Sequence, residues 1–143
     1  MSERDTTGPW AYAAAFVVTI VCLALANFVI AYLGGAADID AGPGAVAIGF
    51  VQGLAGALIA GVASRQLFGS LRPVDFWLKW IVLVAAILFV VAIAWAAAIG
   101  KADRALTWMT YAGLASLIGT EIGRRMAKGL ESRAAEARAA ARS

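Results

Sequence analysis

Few side chains in this sequence can do chemistry, and those that can are widely spaced. Two amides, Asn27 and Gln52, lie inside otherwise apolar runs. An amide offers donors and an acceptor but no nucleophile and no titratable proton. Thr110 and Tyr111 fall at a similar depth, so the four residues form a candidate polar layer. Such a layer either fastens helices together or lines a vestibule. One carboxylate, Glu121, lies within an apolar run, and Arg124 and Arg125 follow it at i+3 and i+4. A helix brings opposite charges together at that spacing. An intramembrane carboxylate is by default a candidate for proton or cation traffic. Glu121 sits at the end of its run with two cations in reach, so the reading adopted is a structural ion pair with Arg124 and Arg125.

The remaining chemistry is bounded by what is missing. There is no histidine and a single cysteine, Cys22. The chain therefore has no internal disulfide and no Cys/His metal cluster of ordinary spacing. Cys22 reads as a small buried hydrophobe. No nucleophile has a visible base, and the acids are not clustered. No catalytic, cofactor-binding or metal-binding residue is assigned, and the expectation is a protein that is not an enzyme.

The elements that must position these residues are four apolar runs, 10–33, 45–64, 77–98 and 105–122. Each reaches the roughly 18–20 residues needed to cross a hydrocarbon core about 30 Å thick. The apolar fraction is 62% and the mean hydropathy +0.82. Soluble domains run at about 45–50% apolar. The expected fold is all-α: a polytopic, up-down bundle of four transmembrane helices at about 10–33, 45–66, 75–99 and 104–123. Residues 1–123 form this domain, and 124–143 a basic cytoplasmic helical tail. Gly34–Gly35 is expected to end the first helix, and Arg72–Pro73 to break the chain before the third, since proline lacks an N–H. Asp103 is the expected N-cap of the fourth.

Charge sets the orientation. Ten of the twelve Lys and Arg fall on one side of such a bundle, and only Lys101 and Arg104 on the other. Basic residues favour the cytoplasm, so both termini are expected there, as four crossings require. The bilayer expected is the bacterial inner membrane. The aromatics fit as interfacial anchors: Trp10, Tyr12, Trp77 and Trp80 at the inner level, Tyr32, Trp95, Trp108 and Tyr111 at the outer. The first run is long for a cleaved signal and has Glu3 and Asp5 before it, so it is read as part of the mature protein. On this reading Asn27 and Gln52 lie about 9–10 Å inside the outer face, at about 1.5 Å per residue. Both are expected to face the protein interior, because an unpaired amide in lipid is costly.

Gly49, Gly53, Ala57 and Gly61 recur every four residues along the second run. Small residues at that spacing allow close helix approach in lipid, within the bundle or between copies of the chain. The tail is rich in Ala, Arg and Glu, all strong helix formers. Its cations Arg124, Arg125 and Lys128 are candidates for contact with anionic lipid. The net charge of +3 is thereby accounted for without nucleic acid.

Gln66-Leu67-Phe68, Arg72-Pro73 and Asp75 together resemble one loop of a group of small, uncharacterised four-helix bacterial membrane proteins. There, the second helix ends in a Gln–x–Phe–basic turn, and an Arg–x–Pro and an acid open the third. In this chain Arg72 directly precedes Pro73, and Asp75 stands where the group carries Glu. The resemblance implies the four-helix layout and no activity. The function expected is a non-catalytic accessory or assembly subunit, acting through helix packing in a homo-oligomer or larger membrane complex. The alternative is a small dimeric channel or transporter with the Asn27/Gln52 layer along its path.

Overall fold

The computed structural model describes residues 8–38, 42–100 and 104–143, with side chains in the last stretch described from Thr107 onward. Every regular element among them is an α-helix: α1 Pro9–Ala36, α2 Pro43–Phe68, α3 Arg72–Ala98 and α4 Arg104–Arg142. α1, α2 and α3 are long and apolar enough to cross a membrane, which marks a membrane protein. α4 is not of that set. Thr107, Thr110, Ser116, Thr120 and Glu121 dilute its apolar half, and its second half is charged. Arg4, Asp40, Lys101 and the expected cap Asp103 lie outside the described residues.

Proline opens three of the helices: Pro9, Pro43 and Pro73 stand in the first turns of α1, α2 and α3. A first-turn N–H has no intrahelical partner, so its loss costs little, and the fixed φ suits a helix. Helix α3 therefore starts at Arg72, three residues before Asp75, where the sequence placed it. α1 likewise continues through Gly34–Gly35 to Ala36. Gly34 is buried there, and a Cβ on it would overlap the Ile48 side chain. That glycine serves close approach of α2 and is not a terminator. The end of α2 does need a glycine. Gly69 sits at φ 68°, in the left-handed region, and its N–H donates to the Arg65 carbonyl at 3.0 Å.

α2 is the centre of the packing, with α4 its main neighbour and α1 next. The α2–α4 seam is made of backbone meeting backbone. A Cβ on Gly49 would overlap the Ala112 carbonyl, one on Gly53 the Ser116 carbonyl, and one on Gly119 the Phe50 carbonyl. A Cβ on Gly61 would lie 3.0 Å from that of Ala127. Numbers rise together along both helices, so α2 and α4 run parallel. Gly34 beside Ile48 and Gly56 beside Leu23 and Ala26 set α1 antiparallel to α2. Gly113 under the Phe89 ring and Arg124 beside Asp75 set α3 antiparallel to α4. In lipid such contacts are held by close packing and not by transfer from water, which is why small residues line them.

The buried cluster consists of Ala15, Cys22, Ala57, Ala60, Val74 and Leu78. Its large members come from the first two turns of α3. Beyond Leu78 that helix buries nothing fully, and its most apolar stretch holds only partly covered and exposed residues.

Candidate functional site

Charged side chains converge where α4 passes the start of α3. Arg124 is the hub. Its Nε and Nη2 donate to the two Glu121 oxygens at 2.9 and 2.8 Å. Its Nη1 reaches Asp75 Oδ1 at 2.8 Å. Arg125 Nε donates to Glu121 Oε1 at 2.8 Å, and Lys128 Nζ lies 3.3 Å from Asp75 Oδ2. Two carboxylates thus face three cations. The guanidinium is well placed for this, because its planar fork holds several fixed donors. The Glu121 carboxylate hydrogen-bonded to it, with help from Asp75, raises Arg124 above the ordinary arginine value despite its partial burial. Asp75 sits in the first turn of α3, where the helix dipole also favours a negative charge.

The α4 extension beyond this cluster is not a free tail at its root. Ala127 is buried and packs near Leu71 and Gly61. Glu131 Oε1 accepts the Leu71 N–H at 3.3 Å. Leu71 is the N-cap residue of α3, so Glu131 supplies an acceptor at a helix start that has no side-chain cap of its own. On the same turn, Ser64 Oγ donates to the Ser70 carbonyl at 2.7 Å, and the Arg72 N–H to Ser70 Oγ at 3.2 Å. At the neighbouring edge, Trp77 Nε1 donates to the Tyr12 carbonyl at 2.6 Å. The Trp77 ring packs edge-on against Phe16 and Phe76, with centroids 4.8 and 5.2 Å apart. Trp77 therefore ties α3 to α1, a role that reading it as an interfacial anchor misses.

The amides of the expected polar layer meet at only one point. Gln52 Nε2 donates to the Asn27 carbonyl at 3.1 Å, joining α2 to α1. The Asn27 side chain turns the other way and donates to the Leu23 carbonyl in its own helix at 2.9 Å. Asn27 is exposed on the bundle surface, where an interior position was expected. The reason is local: a helical asparagine can satisfy its donor on the i−4 carbonyl and needs no partner helix. Thr110 and Tyr111 border a crevice of about 250 Å³ between α3 and α4, with Ile93, Ala96, Ala97 and Leu114. The Tyr111 ring stands edge-on to Trp108 at 5.9 Å. The buried hydroxyls of Thr19 and Thr120 likewise donate to the carbonyls of Ala15 and Ser116 at 2.7 and 2.8 Å.

Among the described residues no group of three or more His, Cys, Asp or Glu is placed to hold a metal ion. Comparison with protein-family models, with curated proteins and with solved structures finds no match to the chain.

Proposed function

We propose that the chain is an integral protein of a bacterial inner membrane. It would cross four times, with both termini in the cytoplasm, and act as a non-catalytic accessory or assembly subunit through helix packing. The fourth crossing would be the part of α4 up to Ile122, where the Thr120 hydroxyl is satisfied by the Ser116 carbonyl. The ten-to-two distribution of Lys and Arg supports the orientation.

The observation that carries the role is the contrast between α3 and the α2–α4 seam. Helices α2 and α4 are locked backbone to backbone, while the most apolar stretch of α3 has no buried residue. The chain thus offers, on a rigid pair, one apolar helix that beyond Leu78 is only partly covered. That arrangement suits an element that packs into a larger membrane assembly or against a second copy. The channel alternative draws less support, because both amides of the polar layer are turned onto backbone carbonyls and line no path together.

Native mass spectrometry from mild detergent, with chemical cross-linking along α3 in membranes, tests this reading. The expected result is a homo-oligomer or hetero-complex cross-linked through positions such as Leu83, Ile87 and Val91. A strictly monomeric species with no cross-linked partner would overturn it. Labelling of cysteines introduced at Ser2 and Ser143 tests the orientation, and reaction from opposite faces would refute it.

A further inference from the structure

A groove of about 580 Å³ runs between the end of α2 and the α4 extension, and its walls include Val62, Arg65, Gln66, Glu131 and Arg138. We propose that it binds the phosphate headgroup of an anionic glycerophospholipid, gripped by Arg65 and Arg138, with an acyl chain along the exposed face of α2.

Arg124, Arg125 and Lys128, the residues that sequence alone nominates for anionic lipid, are all paired with Glu121 or Asp75. None of the ion pairs formed among the described residues involves Arg65 or Arg138. These two come from different helices onto one groove, and guanidinium forks match phosphate oxygens bidentately. Gln66, exposed on the same wall, adds amide donors.

The one carboxylate on the lining, Glu131, accepts the Leu71 N–H and so has a partner of its own. Two guanidiniums against one carboxylate leave a single positive charge, which suits a phosphodiester of charge −1. The carbonyl end of α2 also faces this region and disfavours an anion, but the Arg65 carbonyl there is occupied by the Gly69 N–H.

An apolar track beside the groove favours a lipid over a free anion. Val51, Ala55, Ile59 and Val62 follow one another at helical spacing up α2 and end beside Arg65 and Gln66. Val51, Ile59 and Val62 are exposed. An apolar track leading into a basic groove matches a molecule with an acyl chain and an anionic head. Inorganic phosphate would use only the upper half.

The test is native mass spectrometry of the full chain carrying phosphatidylglycerol or phosphatidylcholine. The parent is expected to retain phosphatidylglycerol preferentially. Arg138→Gln should weaken retention about fivefold, and Arg65→Gln with Arg138→Gln about twentyfold, on the scale of basic residues at an anionic surface. Arg133→Gln, exposed on the same extension, should leave it unchanged, and millimolar inorganic phosphate should not displace the lipid. Arg138→Gln lies on an exposed stretch of α4 and carries the test even where Arg65→Gln does not fold. The proposal is overturned by a parent with no preference, by a folded Arg138→Gln chain with parental retention, or by an equal loss in Arg133→Gln. Displacement by inorganic phosphate would assign the groove to the free anion and overturn the lipid assignment.

Discussion

Arg124 and Asp75, 49 residues apart in the chain, meet at 2.8 Å and fasten the start of α3 to α4. Both side chains are largely buried, at 12% and 16% exposure. The same guanidinium holds Glu121 in its own helix. One side chain thus closes an intrahelical pair and an interhelical one. The interhelical bond lies at the end of α3 where its buried residues are found.

Breaking this hub should be costly. Arg124→Ala leaves the Glu121 and Asp75 carboxylates without their principal partner in a half-buried place, and about 2–4 kcal/mol of stability should be lost. Arg125 also pairs with Glu121, but its side chain is 75% exposed, so Arg125→Ala should cost no more than about 0.5 kcal/mol. Thermal unfolding of the two variants in the same detergent makes the comparison. Equal losses would mean that the buried bond to Asp75 contributes nothing.

The glycine seam makes a sharper distinction between positions of one residue type. Elsewhere, replacing a helical glycine by alanine stabilises by about 0.5–1 kcal/mol, because the unfolded chain loses freedom. Gly129 on α4 has open space around it, and Gly129→Ala should show that gain. Gly53→Ala would drive a methyl into the Ser116 carbonyl. Backbone on both sides cannot yield, so overpacking should cost about 2 kcal/mol or more. Opposite signs of the shift in melting temperature are the expected outcome, and matching signs would remove the seam from the account.

What could be read from the sequence follows the range of the interactions. The helices were legible because long apolar runs with almost no charge have few other solutions. Glu121 with Arg124 and Arg125 was legible because i+3 and i+4 fix the meeting point within one helix. Asp75 was not, since its partner is set by how two helices cross and no local spacing encodes that. Trp77 was read as an anchor because its position at a helix start fits the headgroup level. Its bond to the carbonyl of Tyr12, 65 residues earlier, has no signature in residue type, because any backbone carbonyl can accept. Gly34–Gly35 misled for a related reason. Glycine ends helices and also admits neighbours, and only the position of Ile48 decides between the two.

Trp77 separates ring from donor. Trp77→Phe keeps an aromatic against Phe16 and Phe76 but removes the N–H given to Tyr12. The loss should be about 0.5–1.5 kcal/mol, the net worth of one hydrogen bond. Trp77→Ala also removes the ring contacts, and its loss should exceed that of Trp77→Phe by at least about 1 kcal/mol. Trp80, exposed and a turn away, serves as the reference: Trp80→Phe should leave the melting temperature unchanged. A Trp77→Phe variant as stable as the parent would mean that packing alone joins α1 to α3 here.

Asn27 and Gln52 look alike in composition, and the structure gives them different roles. Gln52 reaches across to the Asn27 carbonyl, so Gln52→Leu removes a bond between helices. The expected cost is about 0.6–2 kcal/mol, the range for such bonds in lipid. The Asn27 side chain serves only a carbonyl of its own helix, and the carbonyl that Gln52 uses is backbone and survives any substitution at that position. Asn27→Leu should therefore leave the α1–α2 contact intact and change stability by no more than about 0.5 kcal/mol, the usual limit for surface substitutions. Thermal unfolding of both variants, with cross-linking between cysteines placed at Ile30 and Ile48, reads stability and helix contact separately. If Asn27→Leu loosened the pair as much as Gln52→Leu, the Asn27 side chain would have to act across the helices. The two amides would then form the shared layer that their common depth first suggested.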